Sequence, residues 1–208
     1  MKRFFTLLLT ALLASTALSA QTPEEIIARM DRETDRFDAE GFSMVMEIRL
    51  PILGAFATTV YTRGDKYKMV TAIKDEFVIN WSDGQTDWEY DASKNEVTIE
   101  THKAGTTSDA ENNKKMIDGV TEGYDVRLKG QTDEVWQFRC TRSKDNTNKD
   151  DPKNIDLVVS KSTYLPVSIK TSAHGVTVTL RDFALGIDEK DITFDPAQYP
   201  GAKITDKR

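Results

Sequence analysis

Phe42-Ser43-Met44-Val45-Met46-Glu47-Ile48-Arg49-Leu50 is the stretch on which the reading of this chain turns. Phe42, Met44, Met46, Ile48 and Leu50 alternate with Ser43, Val45, Glu47 and Arg49, a period of two that belongs to a strand with one apolar face. Pro51 to Gly54 turns the chain, and Ala55 to Arg63 reads as a second strand, closed by Gly64-Asp65. Short strands are predicted over 66–72, 76–81, 86–90 and 96–101. Their links, Ser82-Asp83-Gly84-Gln85 and Asp91-Ala92-Ser93-Lys94-Asn95, have the turn chemistry of antiparallel hairpins. Strands resume over 124–129, 134–141, 155–160, 165–171 and 176–183, with a polar loop over 142–154.

Two helices flank these strands. Thr22-Pro23-Glu24-Glu25 reads as a capping box with proline in the first turn. Ile26, Ile27, Met30 and Phe37 then form one apolar stripe, and Gly41 stops the helix. A weaker helix is predicted over 108–120, with Met116, Ile117 and Val120 on one side and Asn112, Asn113 and Gly119 working against it. The expected fold class is α+β, mainly antiparallel β. Its single sheet of about eleven strands is too large to stay flat and so curls, with a helix to cover the concave face.

The first twenty residues are an address. Lys2 and Arg3 precede an apolar run from Phe4 to Leu13, and small residues from Ala14 to Ala20 suit signal peptidase. The run is too short for a spanning helix. Cleavage is expected after Ala20, leaving residues 21–208 as one domain, exported, with no stable membrane insertion. Loss of Lys2 and Arg3 takes the 28 basic residues to 26 against 34 acidic ones, a formal −8. That balance argues against nucleic acid and against electrostatic adsorption on anionic lipid, since both need clustered Lys and Arg. With one cysteine, Cys140, an intrachain disulfide is excluded.

Catalysis finds little support. His102 and His174 lie in no metal or triad motif. Cys140 sits in an alternating strand, where a buried, inert thiol is expected, with pairing between chains as the alternative in an oxidising compartment. The Asp145–Asp151 stretch lacks the central glycine and closing glutamate of a calcium loop, and Lys149 takes a ligand position. No metal or cofactor is expected. Apolar surface remains. Met30, Met44, Met46 and Met69 fall on interior-facing positions, where they either fill a core or line a space for ligands of varied shape. A curled sheet encloses more volume than one helix fills, and the remainder would be an apolar cleft suited to acyl chains. Its expected lining is Phe42, Met44, Met46, Ile48, Val60 and Met69 of the sheet with Ile26, Ile27 and Met30 of the helix. Trp81, Trp88 and Tyr90 read as sheet packing.

The run Trp81-Ser82-Asp83-Gly84-Gln85-Thr86-Asp87-Trp88-Glu89-Tyr90-Asp91, followed by Glu96-Val97-Thr98-Ile99, resembles the hairpin of the LolA-type outer-membrane lipoprotein carriers. Ile192-Thr193-Phe194-Asp195-Pro196 and Ala202-Lys203-Ile204-Thr205-Asp206 resemble the ending of that family. The resemblance implies an incomplete, half β-barrel lidded by helices. It implies a monomeric periplasmic carrier, not an enzyme, that binds lipoprotein acyl chains. Such a carrier takes its cargo from an inner-membrane ABC transporter and delivers it to an outer-membrane acceptor. The family's lid-latching arginine falls at Arg63, although Gly64 stands where the family has proline. Two other readings stay open: a lipid-binding sensor of the same fold that regulates a membrane partner, and a secreted hydrolase.

Overall fold

The computed structural model describes residues 21–73, 76–103 and 117–208. The expected signal segment and most of the helix predicted over 108–120 lie outside them; within 117–123 the chain forms turns. Among the described residues no helix is long and apolar enough to cross a membrane.

Helix α1 (Pro23–Thr34) starts as the sequence requires: the Glu25 amide donates to the Thr22 hydroxyl, and the Glu25 side chain accepts from the Thr22 amide. It buries Ile26, Ile27, Met30 and Thr34. The single helix expected as far as Gly41 is in fact broken. The Thr34 hydroxyl donates back to the Asp31 carbonyl, and α1 ends at Asp35. One further turn, α2 (Phe37–Glu40), is held by Arg36, which bonds both Glu33 and Glu40.

A single open sheet follows, made of β1 (Phe42–Leu50), β2 (Gly54–Arg63), β3 (Lys66–Ile73), β4 (Glu76–Ser82), β5 (Thr86–Asp91), β6 (Glu96–Thr101), β7 (Tyr124–Gln131), β8 (Val135–Arg142), β9 (Asn154–Ser160), β10 (Pro166–Ala173), β11 (Val176–Leu185) and β12 (Lys203–Asp206). Its spatial order is β12-β6-β5-β4-β3-β2-β1-β11-β10-β9-β8-β7. Two antiparallel meanders are thus joined where β1 pairs with β11. The eleven predicted strands all form, within a residue or two at their ends. The twelfth, β12, pairs parallel to β6 after the chain has crossed the sheet, and no hairpin signal announces it. Between β11 and β12 lie a one-turn helix, α3 (Glu189–Ile192), and a 3-10 turn over Pro196–Gln198 capped by the Asp195 carboxylate.

Directly paired residues share a face, so the register can be read across the sheet. From Met46 toward β7, the inner row runs Leu180, Ile169, Leu157, Phe138 and Leu128, all apolar. From Met44 the other way it runs Val60, Met69, Asn80, Glu89 and Thr98, becoming polar at β4. The outer face does the reverse: Ser43, Tyr61 and Lys68 give way to Trp81, Trp88 and Ile99. The sheet therefore has two apolar regions on opposite faces, and each needs its own cover.

Helices α1 and α2 cover the inner region. Ile26, Met30, Phe37, Phe42, Met44, Val60, Phe138 and Leu157 form one buried cluster, with the Phe37 and Phe42 rings stacked at 4.4 Å. The segment after β11 covers the outer region. The Phe194 ring lies 5.3 Å from Trp81 and 5.6 Å from Trp88, and Tyr199 lies 4.4 Å from Tyr90. This is the sheet packing expected for the three aromatics.

Gly41 joins the two covers. Its carbonyl accepts from Gly186, and the Glu40 carbonyl accepts from Ile187. Its φ is +73°, and an added Cβ would lie 3.0 Å from both Arg63 Cβ and the Thr62 carbonyl oxygen. Gly41→Ala is therefore expected to destabilise the fold by roughly 2 kcal/mol or more, read as a lowered urea midpoint at unchanged m-value.

Candidate functional site

The inner apolar face divides into a deep part and a shallow part. Ile26, Met30, Met44 and Val60 are fully enclosed, and Phe42 and Ile27 nearly so, all beneath or within α1. Met46 and Ile48, nearer the β1–β2 hairpin, and Met69, in the row of Met44 and Val60, are only half-buried, as is Val178 of β11. Phe56 faces Ile48 across the strand pair and is exposed. Of the nine lining residues named from the sequence, six thus lie in packed core and three border the less covered part. Eight of the nine belong to one apolar cluster, and Ile48 adjoins it through its cross-strand partner Val178. Among the polar positions on this face, the Thr58 and Thr71 hydroxyls satisfy each other at 2.9 Å.

The cover is held by packing, and its far end meets like charge. Burial, reinforced by Asp35 of the same helix end and by Glu122 and Asp118 of the facing turn, raises the Asp31 carboxyl above its usual range. A carboxyl raised in the folded state favours folding below its unfolded pKa and loses that contribution as pH rises. At neutral pH, α1 is therefore docked against like charge.

Arg63 ends β2 on the outer face. Its Nη1 donates to the Ile187 carbonyl at 3.1 Å, in the segment that leaves β11 for the outer cover. Lys66 forms an ion pair with Glu189 of α3 beside it. The residue singled out as a latch thus bonds a main-chain carbonyl far away in sequence, at the junction of α2, β2 and the C-terminal segment.

Two features with a catalytic look resolve otherwise. His102 Nδ1 lies 2.8 Å from Asp87 Oδ1 and 3.3 Å from Ser82 Oγ, a Ser, His and Asp brought together by strand pairing that no sequence spacing reveals. Both partners meet the same ring nitrogen. A relay needs the carboxylate on one nitrogen and the hydroxyl on the other. Ser82 Oγ also accepts from the Gly84 amide, as part of the β4–β5 turn. The adjoining groove, about 230 Å³ and lined by Asn80, Asp87, Glu89, Glu100 and Lys207 among others, is polar and offers hydrocarbon no gain. Cys140 is fully buried on β8, and burial pushes its thiol up to about 11. Pairing between folded chains, the alternative left open for it, would require unfolding. In the 145–151 loop, the Asp151 carboxylate accepts from Asn146 and Asn148. Among the described residues no cluster of metal-ligating side chains occurs.

No described protein family and no curated protein matches the sequence. Solved structures do match. LprF from Mycobacterium bovis superposes with a TM-score of 0.52 at 10% identity, over 80% of this chain and 95% of that one. The fold is that of LprF. At that identity the fold is what the likeness establishes, and it is the open, mostly antiparallel barrel expected from the motifs. The LolA superfamily protein NE2245 from Nitrosomonas europaea matches over 85% of this chain and 99% of its own, at 14% identity and a TM-score of 0.33. MucB in the MucA/MucB complex of Pseudomonas aeruginosa matches at 11% identity with a TM-score of 0.46, and this chain spans 60% of that one.

Deep and shallow residues should separate on substitution. Phe42→Ala, which removes the ring stacked on Phe37, is expected to cost about 3–5 kcal/mol in chemical denaturation. Met46→Ala, at a half-buried position, should cost less than about 2 kcal/mol.

Proposed function

We propose that this protein is a periplasmic carrier that binds the acyl chains of lipoproteins on the inner apolar face of its sheet and moves them from the inner to the outer membrane without covalent chemistry. The observation that carries the reading is the apolar cluster that runs from Met69 and Met46 to Leu157, covered at one end by a short helix and only half-buried at the other. Hydrocarbon entering over Met46, Ile48 and Met69 would first meet flexible thioethers. Outward movement of α1 would then add Ile26, Ile27, Met30, Phe42, Met44 and Val60 to the wall. Each methylene buried contributes about 0.8 kcal/mol, so a few turns of chain suffice for affinity. The harder requirement is release.

Release needs a cover in balance between two positions. The like charges around Asp31 favour such a balance. In this reading Arg63, bonded to the Ile187 carbonyl, latches the inner cover indirectly: it ties the end of β2 to the segment whose Gly186 and Ile187 amides hold the Gly41 and Glu40 carbonyls at the end of α2. An inner-membrane transporter would load the carrier, and an outer-membrane acceptor would unload it.

The mature protein, residues 21–208, should release lipoproteins from spheroplasts into a soluble complex and take up an environment-sensitive fluorophore that a diacylated lipopeptide displaces. Spheroplasts that release nothing, together with an unchanged fluorophore signal, would contradict the carrier reading. Arg63→Leu should slow handover to outer-membrane acceptor vesicles more than it lowers uptake. Equal loss of both steps, or of neither, would remove the latch.

A further inference from the structure

The β1–β2 hairpin ends in Pro51-Ile52-Leu53, between Leu50 and Gly54, which pair with each other. Ile52 is 95% exposed and Leu53 83%; the next most exposed large apolar side chain among the described residues is Ile204 at 55%. From Leu50 to Ala57 the sequence LPILGAFA carries no charged or hydrogen-bonding side chain. Scattered surface leucines are ordinary, but an uninterrupted exposed apolar tip on an acidic protein is not. The tip is also braced. Gly54 takes a φ of +86° to close the three-residue loop, and Pro51 packs against the facing turn at Gly175, where an added Cβ would sit 3.1 Å from Pro51 Cγ.

We infer that this tip inserts reversibly into the interfacial region of a phospholipid bilayer. Three observations favour lipid over a protein surface. The end of one hairpin offers far less area than the roughly 1,200 Å² that a stable protein interface buries. Its shape is convex, with two branched aliphatic side chains at the point, which a deformable hydrocarbon boundary accepts without a matching pocket. The tip is also continuous with the candidate site, since Phe56 and Ile48 pair directly behind it and lead to Met46. An acyl chain leaving the bilayer at the tip would meet apolar surface all the way to the half-open part of the inner face. That direction of traffic rests on the carrier reading; the insertion does not.

Sign and salt dependence follow from charge. The mature chain's formal −8 opposes anionic headgroups, so apolar burial must drive insertion. Binding to phosphatidylcholine vesicles should equal or exceed binding to phosphatidylglycerol vesicles and should change little between low and high salt.

The test is flotation of residues 21–208 with phosphatidylcholine vesicles, comparing wild type with the doubly substituted Ile52→Asp, Leu53→Asp protein. The double variant should partition at least about tenfold more weakly. Because both side chains face solvent, it should keep the wild-type melting temperature. A Leu53→Cys variant provides depth. With Cys140 buried, a maleimide fluorophore reports on the tip alone and should shift to the blue with vesicles and be quenched by spin-labelled lipid. Absence of wild-type partition, equal partition of the double variant, or a blue shift that depends on protein concentration without vesicles, the mark of self-association, would overturn the inference. Fluorophore uptake without vesicles reads the carrier reading separately. A double variant that still takes up the fluorophore but no longer floats supports the tip on its own, and one that floats like wild type overturns it whatever its uptake.

Discussion

The switch of apolar side chains from one face of the sheet to the other between β3 and β4 is the constraint on which the rest depends. Antiparallel pairing carries Met44, Val60 and Met69 onto the same face as Asn80, Glu89 and Thr98, while Lys68 becomes the neighbour of Trp81. A sheet patterned in this way cannot be covered by helices on one side alone. It needs α1 and α2 within and the segment carrying Phe194 and Tyr199 without. The two covers meet at Gly41, where the absence of a side chain lets α2, the end of β2 and the segment after Leu185 come together.

This division sets what each region can do. The outer core is aromatic, interlocked and tied down by β12, which pairs with β6 and adds the Lys203 to Glu96 ion pair, with Lys207 just beyond it paired to Glu100. It is built to stay closed. The inner core rests on a twelve-residue helix whose far end faces its own like charges. That helix covers the deep residues and leaves Met46, Ile48 and Met69 half-covered. If any part of this molecule exchanges protein contacts for hydrocarbon, the inner core is the part whose replacement costs least.

Much of this was legible in the sequence. The period of two in Phe42–Leu50, the capping box at Thr22 and the turn chemistry of Ser82–Gln85 are local signals, and all are present in the fold. Three features escaped. The break at Asp35, where the Thr34 hydroxyl bonds back to the Asp31 carbonyl, is local, but no glycine or proline announces it. The strand at Lys203–Asp206 is four residues long and pairs parallel, so neither periodicity nor a hairpin announces it. The change of face could not be read from any one strand, because every strand alternates correctly by itself and only the register relates one strand's face to the next. For the same reason, the lining residues named from β1, β2 and β3 all fall on one surface, while their division into enclosed and half-buried depended on where the helix comes to rest.

The central claim is that hydrocarbon is received on the inner face beside β1 and β3. The chain has five methionines after Met1, at 30, 44, 46, 69 and 116, which makes the methyl spectrum a sparse and direct probe. Titration of the methyl-13C-methionine protein with a diacylated lipopeptide should move the Met46 and Met69 resonances first and those of Met30 and Met44 as the helix yields. A spectrum in which all four stay in place while the lipopeptide binds, or in which no binding occurs, would contradict the account.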